Sequence, residues 1–181
     1  MPPLAAAIPR PEVVVADTPA IDEESFRLFY NRTARPLRTY LLSCLVDRSL
    51  ADDILQDSFL RFLQAELPVT MEDEHRKNYL FRIATNLMRD HFKRVKAVPL
   101  SDSASGESFE QAAVQKEDFQ RTMAQLKPQQ RQLLWLAYVE QFSHNEIATM
   151  VGAKTDSIRP MLARARQSLI ELLRLRAGAL K

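Results

Sequence analysis

Apolar residues recur at steps of three and four through most of the chain from residue 22 to residue 174, which is the pattern of amphipathic helices. The apolar face of the last such stretch consists of Ile158, Leu162, Ala165 and Leu169. Only three glycines occur, and β-branched residues are scattered rather than clustered. The sequence therefore predicts an all-α fold, with two small helical domains joined by a flexible linker.

Residues 143–169 are predicted to form two short helices with a tight turn between them. Ser143 and Glu146 form a capping box, in which the hydroxyl accepts from the third helical amide while the carboxylate reaches back to the cap residue. Gly152 suits the position after the first helix, where a positive φ costs least without a Cβ. This is the pattern of a helix-turn-helix, whose second helix enters the major groove of DNA.

In a helix-turn-helix, the start of the second helix meets base edges and nearby basic residues bind phosphates. Here that helix is predicted to begin near Thr155 or Ser157. The predicted DNA contacts are Lys154, Thr155, Ser157, Arg159, Arg164, Arg166 and Gln167. The alternative is an ordinary helical hairpin with a solvated basic face.

Two further helices are predicted nearer the start of the chain. The first begins near Asp22 and is predicted to be interrupted at Pro36 and to resume there, because proline fits a first helical position but not an interior one. The second is predicted to start with a capping box of Ser49 and Asp52. Its predicted buried side consists of Ile54, Leu55, Phe59, Phe62 and Leu63.

Acidic residues crowd the first half of this second helix, at Asp52, Asp53 and Asp57, together with Gln56. Their attraction to the positive end of the helix dipole could alone explain them. The functional alternative is a protein-docking face, because an acidic patch repels DNA but suits a basic partner surface. No nucleophile, glycine-rich loop or histidine lies nearby, so we do not expect an active site or an enzyme.

Residues 66–77 are predicted to form a loop, followed by a helix over 78–96. The predicted buried face of that helix consists of Leu80, Ile83, Ala84 and Leu87. At about 100° per residue, a stripe of basic and amide side chains falls on the opposite side. The predicted DNA contacts there are Arg82, Asn86, Arg89, Lys93, Arg94 and Lys96. Such a stripe can follow a phosphate backbone, although a solvated charged face has the same pattern.

The second half of the chain begins with residues 97–115, whose proline, serine, glycine and acidic content is typical of a linker. A helix is predicted to resume near Lys116 and to break at Lys127 and Pro128. The following run, QQRQLLWLAYVEQF, is apolar almost all round and predicts the central buried helix of the second domain. Trp135 is expected in the core, with its N–H bonded locally.

Composition limits the function further. The net charge is only +2, so affinity for nucleic acid must come from local stripes rather than an overall field. One cysteine, Cys44, excludes an internal disulfide framework and fits a reducing, cytoplasmic location. The three histidines lack ligand spacing, so no metal or other cofactor is expected. No apolar run approaches the roughly 20 residues needed to cross a bilayer, and the proline-rich residues 1–22 predict a disordered leader.

Three segments in this order resemble the extracytoplasmic-function (ECF, group IV) sigma factors of the sigma-70 family. ADDILQDSFLRF is similar to the family's polymerase-docking segment and NYLFRIATNLMRDHFKR to its promoter-melting segment. The stretch from Leu126 to Leu169 is similar to its closing helix-turn-helix domain. The resemblance implies a leader (1–22), sigma domain 2 (23–96), a linker (97–115), sigma domain 4 (116–176) and a tail (177–181).

The resemblance also implies a function and partners. Asp52, Asp53, Leu55, Gln56 and Asp57 would meet the coiled coil of the β′ subunit of core RNA polymerase, whose β subunit is a further expected partner. The 78–96 helix and the loop before it would engage the −10 element of promoter DNA, with a flipped base held near residues 65–77. The 155–167 helix would enter the −35 element. An anti-sigma factor is an expected partner, and no chemistry is expected on this chain.

Some positions depart from the family pattern. Tyr79 replaces a usual tryptophan, and Thr85 stands where an arginine is common, which removes one phosphate contact. Pro160 inside the recognition helix and Met161 in place of an arginine predict altered or weakened −35 recognition. Two other functions stay open from the sequence alone, a stand-alone helix-turn-helix regulator and a helical adaptor that binds only protein.

Overall fold

The computed structural model describes residues 21–45, 47–65, 67–68, 70–97 and 121–179. The helices are α1 (Glu23–Cys44), α2 (Arg48–Gln64), α3 (Asp73–Ala97), α4 (Pro128–Leu134), α5 (His144–Val151) and α6 (Thr155–Ala179), and α4 continues as a π-helical segment, Trp135–Val139. Residues 121–125 are also helical. No strand occurs in the described ranges, and the all-α prediction is confirmed. Residues 1–20 of the predicted leader, all but the first residue of the predicted linker and the last two residues lie outside them.

Helix α1 runs without a break through Pro36, so the predicted interruption is wrong. Proline has no N–H, and the carbonyl of Arg32 therefore lacks its usual helical partner. Residues on both sides of the proline, including Phe29, Leu37 and Tyr40, are buried in the same core. Packing on both sides of Pro36 thus outweighs the one missing hydrogen bond.

Helix α2 starts two residues earlier than the predicted capping box. Asp47 is the cap, and its carboxylate accepts from the amides of Ser49 (2.8 Å) and Leu50 (3.2 Å). The predicted Ser49–Asp52 box is therefore wrong. Asp52 instead accepts two hydrogen bonds from Arg38 of α1, at 2.7 and 3.0 Å.

The buried side of α2 agrees with the prediction at Ile54, Phe59 and Phe62, but Leu55 is only half-buried. Leu63 is 46% exposed, so its predicted burial is wrong. Ser58 takes part in the buried face and donates to the carbonyl of Ile54 (2.6 Å), which removes the cost of burying its hydroxyl.

Helix α3 begins at Asp73, so the predicted loop is too long and the predicted helix start at residue 78 is wrong. Asp73 and Glu74 occupy the first turn, where carboxylates interact favourably with the helix dipole. Its core-facing side is also rotated from the prediction. Leu80 and Ala84 are buried as expected, but Phe81, Thr85 and Met88 are buried while Ile83 and Leu87 are half-buried.

The break before α4 lies at Lys127 with Pro128 in the first turn, as predicted. The π-helical turn that follows is closed by a bond from the Glu140 amide to the Trp135 carbonyl (3.1 Å). Because this turn shifts the register, Tyr138 and Val139 are each 53% exposed, and the prediction of burial almost all round is wrong for them. Trp135 is half-buried, and its indole N–H donates locally to Glu140 (3.3 Å).

The helix-turn-helix prediction is confirmed in detail. Ser143 caps α5 in a reciprocal box with Glu146, and Gly152 ends that helix in the left-handed conformation with φ 67°. Helix α6 begins at Thr155 and contains Pro160 in its interior. The carbonyl of Asp156 therefore has no amide four residues ahead to accept from.

The helices form two units that contact each other. Helices α1, α2 and α3 pack together as the first unit, and α4, α5 and α6 pack together as the second. Between the units, α1 contacts α4 and α3 contacts α5. Buried apolar residues from both units form one continuous cluster.

Candidate protein and nucleic-acid interfaces

The acidic face of α2 combines free and paired side chains. Asp53 and Gln56 are exposed, whereas Asp52 and Asp57 are partly covered and form ion pairs with Arg38 (2.7 Å) and Arg61 (3.2 Å). The hydrogen bond from Arg38 lowers the pKa of the Asp52 carboxyl and keeps it charged. Asp53 and Gln56 therefore offer the groups on this face that are most available to a partner.

Leu55 is less available to a partner than Asp53 and Gln56, because it is half-buried and packs against the core. Two leucines that sequence reasoning missed extend the outer face instead. Leu60 is 57% exposed and Leu63 is 46% exposed. Steps of three, four and three connect Asp53, Gln56, Leu60 and Leu63, so the helical period was the signal that could have revealed them. The outer face of α2 is thus acidic at its start and apolar at its end.

The basic stripe of α3 is only partly open to solvent. Arg82, Lys93 and Arg94 are exposed, whereas Asn86 and Arg89 are half-buried. Arg89 donates to the side-chain carbonyl of Asn86 (2.7 Å). The predicted position of Asn86 and Arg89 on a solvent face is therefore wrong in part, because the second unit covers this region. The side chain of Lys96 lies outside the described part of the chain.

The covering group is the turn of the helix-turn-helix. A Cβ placed on Gly152 would lie 2.5 Å from Nη1 of Arg89, so the guanidinium of α3 sits directly on this turn. Nearby, the amide of Asn78 donates to the carboxylate of Glu146. Burial opposes ionisation of Glu146, but hydrogen bonds from Ser143 and Asn78 outweigh it and lower the pKa of the Glu146 carboxyl.

The predicted DNA contacts of α6 are much more open. Ser157 is half-buried, and the other six are exposed: Lys154, Thr155, Arg159, Arg164, Arg166 and Gln167. At about 100° per residue, Arg166 lies roughly 20° from Arg159 around the helix, and Arg164 lies about 140° from it. Arg159 and Arg166 can therefore approach one strand, while Arg164 lies on the other flank.

Three of the positions that depart from the family pattern, Thr85, Tyr79 and Met161, differ in how deeply they are buried. Thr85 is buried, and its hydroxyl shares a hydrogen bond with that of Tyr40 (2.8 Å). An arginine could not occupy this core position without rearrangement, so Thr85 is packing and not a lost phosphate contact. Tyr79 is half-buried with its ring 6.4 Å from that of Phe62, and Met161 is half-buried against the core.

The described ranges contain no group of three or more histidine, cysteine, aspartate or glutamate side chains that could hold a metal ion. Cys44 is a free, buried thiol whose burial raises its pKa to about 11. No helix in these ranges has the length and apolar character needed to cross a membrane.

Comparison with known families defines the class of protein. The family model for sigma-70 region 2 matches residues 29–98, and the model for sigma-70 region 4 matches residues 116–169. A chain that carries both regions in this order is a sigma factor, the subunit that gives bacterial RNA polymerase its promoter specificity.

Relatives specify the group. The chain is 29% identical over 156 residues to the ECF RNA polymerase sigma factor SigM of Bacillus subtilis, covering 81% of this chain and 91% of the relative. It is 27% identical over 164 residues to the ferric citrate uptake sigma factor FecI of Escherichia coli, covering 85% and 93%. This chain belongs to the ECF group of the sigma-70 family. It binds core RNA polymerase and directs promoter recognition and transcription initiation.

Two solved structures share the fold. The sigma factor RpoE from Bartonella quintana, in complex with the anti-sigma factor NepR, has a TM-score of 0.62 at 20% identity and covers 83% of this chain and 98% of that one. CnrH, in complex with the cytosolic domain of CnrY, has a TM-score of 0.61 at 22% identity and covers 85% and 90%.

Proposed function

We propose that three surfaces divide the work of this sigma factor. The outer face of α2 docks on core polymerase, the stripe of α3 contacts the −10 element, and the start of α6 reads the −35 element. The observation that carries the proposal is the separation of charge. The outer face of α2 presents Asp53 and Gln56, whereas basic side chains are exposed on α3 at Arg82, Lys93 and Arg94 and on α6 at Arg159, Arg164 and Arg166. In these terms residues 23–96 act as sigma domain 2 and residues 116–176 as sigma domain 4.

Docking through α2 is supported by its mixed surface. Asp53 and Gln56 are exposed polar groups that can pair with basic and amide groups of a partner, and they repel DNA. Leu60 and Leu63 add apolar area that is exposed in the free chain and would be buried by a partner. A face of this kind suits a helical partner such as the coiled coil of the β′ subunit.

Promoter contact through α3 and α6 is supported by exposed basic groups. Arg82, Lys93 and Arg94 of α3 and Arg159 of α6 can each reach a phosphate. Helix α3 starts at Asp73, so a pocket for a flipped base is proposed in the shorter stretch from 65 to 72. The chain itself supplies no chemistry, because nucleotide addition belongs to the polymerase.

Run-off transcription with purified core polymerase on a promoter library tests the proposed function. We expect the full chain to select a set of templates with two common sequence elements near −35 and −10. The docking face is tested in the same assay by Asp53→Lys/Gln56→Lys, which should abolish transcription and co-elution with polymerase. Glu24→Lys, at an exposed ion pair of α1, is the control for a reversed surface charge. Equal transcription from the docking variant and the wild type would contradict the assignment of α2.

An anti-sigma partner and a cytoplasmic location belong to the same proposal. One solved structure of similar fold is a sigma factor bound to an anti-sigma factor, and another, CnrH, is bound to the cytosolic domain of CnrY. The exposed faces of α2 and α6 would otherwise stay available to the transcription machinery. A tagged full chain, captured from its own host under non-inducing growth, should carry a second protein whose deletion raises transcription from the selected promoters. Capture with polymerase alone under every growth condition would contradict this partner.

A further inference from the structure

We propose that Asp156 of α6 is a specificity-determining residue, whose carboxylate accepts a hydrogen bond from a cytosine of the −35 element. This role rests on the proposed function of α6 at the −35 element and adds the identity of a base to it. Asp156 does not belong to the DNA contacts predicted from the sequence.

The place of Asp156 in α6 suits contact with base edges. Helix α6 begins at Thr155, so Asp156 is its second residue. In a helix-turn-helix, the residues at the start of the second helix are the ones that contact base edges. Asp156 is exposed, and within the described part of the chain no hydrogen bond or ion pair engages its carboxylate. The carboxylate is therefore available to a donor outside the chain.

The direction of Asp156 follows from the buried side of the same helix. Ile158, Leu162 and Ala165 are buried and define the side of α6 that faces the core. At about 100° per residue, Pro160 lies on the opposite side of the helix, and Asp156 lies roughly 40° from Pro160. Asp156 therefore points away from the core, toward the side on which DNA would lie.

Short side chains on this side allow a close approach to the bases. Ala163 lies roughly 20° around the helix from Asp156, and both residues are exposed, as is Pro160. None of the three has a long side chain that would hold the helix away from the floor of the major groove. The backbone of α6 can therefore come near enough for the short side chain of an aspartate to reach a base edge.

The arginines of α6 lie to the two sides of this surface. Arg159 and Arg166 lie roughly 100° and 120° to one side of Pro160, and Arg164 lies roughly 40° to the other side. All three are exposed and suit phosphates. A carboxylate between them is repelled by phosphates, so its favourable partners in the groove are amino groups of the bases. The arginines on both sides also offset the repulsion between this carboxylate and the DNA backbone.

The chemistry of a carboxylate selects one base. An ionised aspartate can only accept hydrogen bonds. In the major groove, guanine presents two acceptors and thymine presents one, while adenine has an acceptor beside its amino group. Cytosine presents the N4 amino donor and no acceptor. We therefore expect one position of the −35 element to be a C·G pair whose cytosine faces Asp156.

A second explanation for Asp156 is purely structural. A carboxylate in the first turn of a helix interacts favourably with the helix dipole, whatever DNA is bound. Glu23 of α1 has the same setting, because it is exposed and also lies in the first turn of its helix. It lies outside the proposed DNA surfaces, so Glu23→Gln is a matched control for the loss of one such charge.

The first test uses the polymerase complex and a promoter library. The −35 element of a selected promoter is randomised, the −10 element is kept, and each template carries a barcode in its transcribed region. Sequencing of the run-off transcripts then gives the base frequency at every −35 position. For the wild type we expect one position restricted to cytosine, and Glu23→Gln should keep this pattern.

Two variants of Asp156 should change that position alone. Asp156→Ala removes the acceptor, so the cytosine position should accept all four bases. Asp156→Asn should move the preference to adenine, because an amide can pair with both N6 and N7 of that base. The other −35 positions should keep their wild-type frequencies in both variants.

The second test measures the preference directly, by competition for the polymerase complex between two promoter duplexes. The duplexes differ only at the selected pair, with cytosine or adenine facing α6. The wild type should favour cytosine by at least about fivefold, and Asp156→Asn should favour adenine. Each ratio compares two duplexes bound by the same protein, so a change in non-specific attraction to DNA cancels.

The outcomes separate this role of Asp156 from the proposed function. A wild-type chain that transcribes no promoter with core polymerase would refute the proposed function. If the wild type selects both elements, the role of Asp156 alone is refuted by any of three results. These are a −35 element without a restricted cytosine, wild-type base frequencies in both Asp156 variants, or an equal loss of preference at every −35 position.

Discussion

Helices α3 and α6 have the same length and similar chemistry, but they differ in availability. Each has 25 residues and carries exposed basic side chains. On α6 nearly all the predicted DNA contacts are exposed, whereas on α3 the middle of the stripe lies against the second unit. Residue type therefore indicates which surfaces can bind DNA, and packing between the units determines when they can. We expect the free chain to bind DNA chiefly through α6.

The largest effect should come from removing the arginines of α6. Each phosphate contact contributes about 0.9 to the slope of log affinity against log salt, so Arg159→Ala/Arg164→Ala/Arg166→Ala should reduce the slope of the free chain by up to about 2.7. Affinity at moderate salt should fall by roughly a hundredfold. The charge-matched control is Arg27→Ala/Arg35→Ala/Arg61→Ala. Equal losses in the two triple variants would show that α6 has no special part in binding.

A smaller effect should separate the open and covered parts of α3. Arg82→Ala should lower the salt slope by about 0.9 both in the free chain and in the polymerase complex. Arg89→Ala should lower it by a similar amount only in the complex, because its guanidinium rests on Gly152 in the free chain. Measurement of salt titrations in both states checks this difference. A loss in the free chain equal to that of Arg82→Ala would show that Arg89 is not covered.

The −35 surface can also be strengthened. Pro160→Ser/Met161→Arg restores an amide to α6 and adds a basic group at position 161, about 60° around the helix from Arg164. We expect tighter binding to a −35 duplex by about 1 kcal/mol, roughly fivefold. Affinity equal to that of the wild type at fixed salt would contradict weakened −35 recognition at these positions.

A still smaller effect, on the free energy of unfolding, should come from removing the N-cap of α5. Ser143→Ala removes the reciprocal box and should destabilise the second unit by about 1 kcal/mol in urea unfolding at pH 7. Because the folded pKa of Glu146 is lowered from 4.5, its contribution is present above pH 4.5 and is lost as pH falls through that lowered pKa. The Ser143→Ala penalty should therefore shrink in acid. A penalty that grows in acid would contradict the role of the Glu146 carboxylate.

The features predicted correctly from the sequence are local ones. Helix α5 starts with the capping box of Ser143 and Glu146 and ends at Gly152. Each of these signals acts within one turn of helix. The order of the acidic helix, basic helix and helix-turn-helix was likewise enough to indicate the family. Such signals depend on neighbouring residues in the chain, so no knowledge of the packed structure was needed.

The features predicted wrongly depend on distant residues. Pro36 stays inside α1 because residues on both sides of it are packed in the core. Asp52 does not form the predicted cap, because it pairs with Arg38 of another helix. The buried face of α3 is rotated toward Phe81, which packs on Phe142 of the second unit. The coverage of Arg89 has the same origin. A pattern within one helix cannot reveal which neighbour will cover it.

Site-specific photo-cross-linking in the assembled polymerase and promoter complex examines all three surfaces at once. A photoreactive phenylalanine would replace Gln56, Arg82 or Arg159 in turn, since all three side chains are exposed. We expect position 56 to cross-link to the β′ subunit, position 82 to DNA near −10, and position 159 to DNA near −35. Cross-links from position 56 to DNA, or from positions 82 and 159 to polymerase alone, would contradict this account.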